Sequence, residues 1–119
     1  MAFNNTTHAG ETEKPVALLA RTVSGNSGPL GSFGAARTLR AQLNTTTATG
    51  TTPTLDTIIE DSLDGGATWN TIGTFTQQTI AARQVINITV PFATLLRVAW
   101  VIAGTTPSFT FTVDWYVEP

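Results

Sequence analysis

The sequence predicts an all-β chain: a single antiparallel β-sandwich, jelly-roll-like, of seven to eight strands with an extended N-terminal arm. Three observations predict it. Threonine is about one residue in five, and its β-branched side chain fits a pleated surface while the hydroxyl can still face water. Apolar residues recur with period two in several short runs, and no window repeats them at helical spacing over three turns. Clusters of Gly, Pro and Ser separate these runs.

The elements follow in order. Residues 1–15 are polar with a single aromatic, Phe3, and end at Pro15. They read as an arm, held by a neighbouring subunit or folded back on its own domain. Residues 16–119 form the sandwich domain, and one domain is all that 119 residues suggest. Val16–Val23 is the first strand, and the Gly- and Ser-rich stretch at 24–34 is a loop. Arg37–Thr47 is the second, with Leu39, Ala41 and Leu43 on one face and Arg40, Gln42 and Asn44 on the other. Thr54–Leu63, Trp69–Phe75 and Gln84–Val90 follow, the last closed by Pro91. Leu95–Ala103 is nearly continuously apolar from Arg97 to Ile102, as in a strand covered on both sides or at a subunit contact. The seventh alternates most cleanly, with Phe109, Phe111, Val113, Trp115 and Val117 on one face and Thr110, Thr112, Asp114, Tyr116 and Glu118 on the other.

An internal echo supports this layout. The run from Ala48 to Glu60 recurs from Ile102 to Asp114, with Gly50-Thr51-Thr52-Pro53 matching Gly104-Thr105-Thr106-Pro107. Gly and Pro around a Thr pair is turn chemistry, so Gly50, Pro53, Gly104 and Pro107 are assigned to hairpin turns. The echo also places Leu55, Thr57 and Ile59 on the core face and turns Ile58 outward beside Asp56 and Glu60.

Composition excludes several classes of function. The formal charge is −2, with one lysine and five arginines scattered along the chain, so no basic stripe awaits nucleic acid. Without cysteine there is no disulfide framework, thiolate nucleophile or thiolate metal site. His8, the one histidine, lies in the arm, which leaves no Ser-His-Asp arrangement and no multi-histidine metal site. No apolar run approaches the roughly 20 residues of a membrane span, and no signal sequence is visible, so synthesis in the cytoplasm is expected.

Ser62-Leu63-Asp64-Gly65-Gly66-Ala67-Thr68-Trp69 matches the pattern S-x-D-x-G-x-T-W at every fixed position. It resembles the Asp-box of sialidase-type β-propellers. The resemblance implies a hairpin in which Asp64 accepts backbone N–H bonds, Gly65 and Gly66 relax the turn, Ser62 and Thr68 flank it and Trp69 packs beneath. A propeller needs several blades and several copies, and this chain has one, so no sialidase activity is implied. More broadly, the runs LDTIIEDSLDGGATWNTIGTF, RQVINITV and LLRVAWVIAGTTPSFTFTVD, within about residues 36–114, resemble small β-sandwich virion proteins of tailed bacteriophages, head decoration proteins included.

The other candidate sites are weaker. Asp56, Glu60, Asp61 and Asp64 could supply oxygen ligands to Ca²⁺, but their spacing is not that of an EF-hand, and a solvated edge explains them as well. Trp69, Trp100 and Trp115 could form a sugar-stacking platform, yet Trp100 and Trp115 sit among core residues, which leaves Tyr116 as the better stacking side chain. The expectation is a chain that is not an enzyme and uses no cofactor or metal: a virion structural protein, most of all a capsid decoration (cement) protein that binds the outside of an assembled phage head. A tail or neck component, or a carbohydrate-binding module, are the alternatives. Its expected partners are the major capsid protein and further copies of itself, with neither nucleic acid nor membrane. Phe3, His8, Ile58 and Tyr116 are the candidate partner contacts.

Overall fold

The computed structural model describes residues 12–31, 38–93 and 95–118, and these form one antiparallel sheet of six strands with no helix. The strands are β1 (Thr12–Arg21), β2 (Gly25–Asn26), β3 (Thr38–Ser62), β4 (Asn70–Thr74), β5 (Ala82–Ile88) and β6 (Leu95–Glu118). Their order is β1-β6-β3-β4, with β2 on β6 and β5 on β3. Residues 1–11 lie outside this description, and with them most of the expected arm. Thr12–Pro15 belong to β1 instead, where Thr12 pairs with Tyr116 and Glu13 with Trp115.

β3 and β6 are the main departure from expectation. At 25 and 24 residues, each joins two strands that the sequence suggested were separate. They run antiparallel along their whole length, from Thr38 opposite Glu118 to Ser62 opposite Leu95. Gly50, Pro53, Gly104 and Pro107 therefore close no hairpin. The two GTTP segments lie side by side, Thr51 opposite Thr105, and bend both strands at one level.

The local chemistry of the bend is that of a strand interrupted without being reversed. Proline has no N–H for the ladder, and the register shifts on both sides of Thr51. Thr52 and Thr106 both have φ 46°, and their hydroxyls donate to the carbonyls of Thr51 and Thr105. Gly50 (φ 113°) sits against Thr106 and Pro107, and Gly104 (φ 121°) sits against Thr52 and Pro53 in the same way. A side chain at either glycine would strike backbone.

The crossing is a local pseudo-two-fold. A shift of 54 residues (Gly50 to Gly104) carries the pair Leu55–Ile102 onto Ala48–Phe109, and Asp56–Val101 onto Thr47–Thr110. The same exchange orders the whole sheet, for β1 and β2 pair with β6 while β4 and β5 pair with β3. The chain is thus two three-strand units, each lending its short strands to the other's long one.

Each long strand bends, so the sheet has two limbs. The first holds 38–49 and 108–118, flanked by β1 and β5; the second holds 54–62 and 95–103, flanked by β4 and β2. Inward residues alternate along both. Leu39, Ala41 and Leu43 lie opposite Val117, Trp115 and Val113, while Ile59 lies opposite Val98, and all are buried. The limbs meet where Trp100 packs edge-on against Phe111, with ring centroids 5.6 Å apart. Gly73 on β4 gives room to Ile86 and Ile88 of β5, since a Cβ there would lie 2.6 Å from Ile88 Cδ1.

The expected loop after β1 is in part a strand lane. Ser24 Oγ accepts from Ile102 N, Gly25 pairs with Trp100, Ser27 N donates to Val98 O, and Leu30 and Leu96 exchange both backbone bonds. Beyond it, 32–37 lie outside the described residues. The apolar run of β6 is covered on one side: Leu96, Val98 and Trp100 are buried, Ala99 is half-buried and Val101 is exposed.

Candidate functional site

The turn between β3 and β4 is built from side chains within four residues of one another. Ser62 Oγ donates to Asp64 Oδ1 (2.8 Å) and accepts from Gly66 N (2.8 Å). Asp64 takes Thr68 N on Oδ1 (2.8 Å) and the Thr68 hydroxyl on Oδ2 (2.5 Å). Positive φ at Gly65 (75°) and Gly66 (100°) lets the chain reverse. The Thr68 hydroxyl, the Thr68 N–H and the Ser62 hydroxyl together pull the Asp64 carboxyl down to about 2 from 3.8. Its lone pairs are used within the turn. Such a carboxylate organises a loop and is poorly placed as a general acid, whose pKa would have to lie higher.

Trp69 is half-buried, and Arg97 covers it at 4.4 Å from the ring centroid while its Nε donates to Glu60 Oε1 at 2.7 Å. The turn is thereby fastened to β6 and β3. Neither Glu60 nor Arg97 stood out in the sequence as a partner, because 37 residues separate them.

The remaining acids of this region are also engaged one by one. Asp61 Oδ2 accepts from Ala93 N (2.8 Å), and Asp56 accepts from Gln77 Nε2 (3.0 and 3.2 Å). Among the described residues no three metal-ligating side chains converge. Ile58 is half-buried beside Ala99, so it is less exposed than the echo suggested. Trp100 and Trp115 are core residues, and with Trp69 under Arg97 the three tryptophans form no open platform. Phe3 and His8 lie outside the described residues.

Two interior polar residues went unnoticed in the sequence. Gln78 is buried: its side chain accepts from the Thr45 hydroxyl and donates to Ala82 O (3.3 Å), while its backbone exchanges two bonds with Leu55. It ties both limbs together. Arg21 stacks over Trp100 (5.1 Å) and Phe111 (4.9 Å) and donates to the carbonyls of Ala17, Leu19 and Phe111. The β1–β6 register shifts between Val16 and Leu19, and the guanidinium spans this irregular stretch, taking carbonyls on both strands. Burial pulls its pKa below the ordinary arginine value, yet a guanidinium in this setting stays charged.

Among the described residues, two surface regions stand out as places to meet another molecule. One is the outer edge of β1, where Leu18 and Leu19 are 54% and 59% exposed between Ala17 and Ala20. The other is the outer face of the first limb. A cavity of about 340 Å³ there is lined by Thr12, Arg40, Gln42, Val85, Asp114 and Tyr116. A second, of about 350 Å³, adjoins it and shares Arg40 and Tyr116. Lys14 Nζ donates to Asp114 at 2.6 Å, and among the described residues Arg40 reaches only Asn87, at 3.4 Å. No protein-family model matches the chain, and no curated protein matches it.

Proposed function

We propose that this chain is a virion structural protein of the head decoration type, which binds the outside of an assembled phage head and reinforces it. The bent sheet then serves as the two layers of a jelly-roll-like β-sandwich, with seven or eight lanes once each long strand is counted on both sides of its bend. The reading begins from the likeness in sequence to small phage virion proteins. The structural observation that supports it is the β1 edge.

An edge strand presents unpaired backbone groups, and proteins ordinarily protect such an edge with charge, proline or a covering segment. β1 carries some of this protection, in Pro15 and in the Arg21 guanidinium on the carbonyls of Ala17 and Leu19, but its side chains from Ala17 to Ala20 are apolar and exposed. Exposed apolar side chains on a strand edge suit docking against a capsid subunit with the leucines as anchors. A shell repeats the contact many times, so each one can be weak while the layer holds. The major capsid protein, and neighbouring copies of this chain on the lattice, are the partners of this reading.

The test is co-sedimentation of the full-length protein with assembled heads of the encoding phage. Saturable binding that Leu18→Glu and Leu19→Glu abolish, with thermal unfolding unchanged, supports the proposal. Absence of binding by the wild-type chain overturns the decoration role. Binding to isolated tails but not heads replaces it with a tail or neck position.

A further inference from the structure

Among the described residues, the outer face of the first limb carries an unusual share of the cations. Cross-strand register sets Thr12, Tyr116, Arg40 and Asn87 in one row over four strands. The next row along holds Asp114, Gln42 and Val85, and the one after it Thr112, Asn44 and Arg83. Of the five described lysines and arginines, Lys14, Arg40 and Arg83 lie here, together with the one tyrosine of the chain. In a chain with only 12% charged residues, three of the five described cations share this face.

Their pairing is uneven. Lys14 is neutralised by Asp114, Arg97 by Glu60, and Arg21 is spent on carbonyls and rings. Arg40 and Arg83 have no carboxylate partner among the described residues. Arg40 sits where the two cavities meet, next to a half-buried Tyr116. Arg83 lies opposite Asn44, four residues from Arg40 along β3, a separation of roughly 13 Å.

We propose that this face binds a linear acidic oligosaccharide of the polyuronate class. One sugar ring lies on Tyr116, whose flat apolar surface receives ring C–H groups. Its carboxylate meets the Arg40 guanidinium, whose planar fork matches a carboxylate's two oxygens. The chain then follows β3 over Gln42 and Val85, so that the carboxylate of a later sugar reaches Arg83. Thr12, Gln42 and Asn87 supply donors and acceptors for hydroxyl groups. A peptide would want open apolar side-chain pockets, and of the aliphatic residues and the tryptophan that line the two cavities, Leu39, Ala41, Ile88 and Trp115 are buried, which leaves Val85 exposed. The site is on a different face from the β1 edge and stands or falls separately from the assembly proposal.

The test is titration of the full-length protein at low salt with tetragalacturonate, followed by calorimetry and by amide NMR shifts. Saturable binding is expected, with shifts confined to strands β1, β3, β5 and the end of β6, and weakening as salt is raised. Arg40→Gln should weaken it about tenfold, the loss of one charge-assisted pair. Tyr116→Phe should retain binding and Tyr116→Ala should lose it, with melting temperatures showing that both variants fold. No saturable binding up to about 10 mM overturns the proposal. So does equal binding of a neutral tetrasaccharide such as maltotetraose, or of tetraglutamate, or an unchanged affinity in Arg40→Gln.

Discussion

Replacing Gly50 or Gly104 with alanine tests the crossing at which the two long strands bend. A Cβ on Gly50 would lie 2.8 Å from Thr106 O, 2.9 Å from Pro107 Cα and 3.0 Å from Thr105 O. On Gly104 it would lie 2.8 Å from Thr52 O, 2.9 Å from Pro53 Cα and 3.1 Å from Thr51 O. These contacts are with backbone, so a rotamer change cannot relieve them. Holding alanine at φ 113° or 121° costs about 1–3 kcal/mol. Displacing the facing strand adds about 1–3 kcal/mol, as in other overpacked sites. The unfolded chain loses freedom when glycine becomes alanine, which returns about 0.4–1 kcal/mol. Each single variant should therefore be destabilised by roughly 1–5 kcal/mol, a large part of an ordinary domain's stability. Urea unfolding followed by tryptophan fluorescence is the assay, since Trp100 and Trp115 are buried and report on both limbs. Gly28→Ala is the control: φ there is 76° with nothing within 4 Å of the new Cβ, so it carries the conformational strain without the clash. Because the contacts are reciprocal, the two variants should cost the same within about 0.5 kcal/mol, and the double variant less than their sum. A loss below about 0.5 kcal/mol at either site, or no excess over Gly28→Ala, refutes the crossing as drawn.

Three further outcomes follow from the interior and the turn. Thr57 Oγ1 is buried with no hydrogen-bond partner among the described residues, so Thr57→Val should stabilise the protein by about 1 kcal/mol in urea unfolding. Arg97→Leu leaves the Glu60 carboxylate without its cation in a site only 11% exposed and uncovers Trp69; a loss of about 2–4 kcal/mol is expected, with a change in Trp69 fluorescence. For Asp64 the folded carboxyl at about 2 lies below its ordinary 3.8, so the unfolded chain takes up the proton first as pH falls. The turn's contribution is complete above the ordinary value and is lost as pH drops toward about 2. Asp64→Asn should therefore show a smaller loss of stability than wild type across that window, and carboxyl NMR should place the wild-type titration near its lower end.

The parts of the fold that the sequence made legible are those decided locally. Along Phe109–Val117 the period-two alternation matches burial, because one face of the strand meets the core, except at Thr112, assigned to the outer face but buried at 6% exposure with its hydroxyl on Val16 O. The turn at 62–69 was legible for a similar reason: Ser62, Asp64 and Thr68 satisfy one another within four residues. The GTTP segments were not. A glycine with positive φ, a β-turn-prone Thr pair and a proline suit a chain reversal and a bend in a continuous strand equally well, and the choice rests with a partner 54 residues away. The lane at 24–30 was hidden because Ser24 and Ser27 join β6 through backbone groups and hydroxyls, with no apolar alternation to announce a strand. Gln78 and Arg21 take their roles from residues 33 and 90 positions distant.

The two limbs share one plan of pairing but not one surface. On the second limb, Ile58 stands opposite Ala99, and Asp56 opposite Val101, which is 55% exposed. On the first, Arg40 stands opposite Tyr116 and Gln42 opposite Asp114. Inward positions must be alike on both, since they fill a common core, and Trp100 against Phe111 fixes how the limbs meet. Outward positions carry no such constraint and can diverge at little cost to stability. A sheet made of two exchanged units therefore offers two faces for different tasks without a second domain. Substitutions at Arg40 and Tyr116 should leave contacts made by the β1 edge intact, and substitutions at Leu18 and Leu19 should leave saccharide binding intact. Paired measurement of both activities on both sets of variants would separate the two surfaces, and loss of both from a single folded variant would show that they are one.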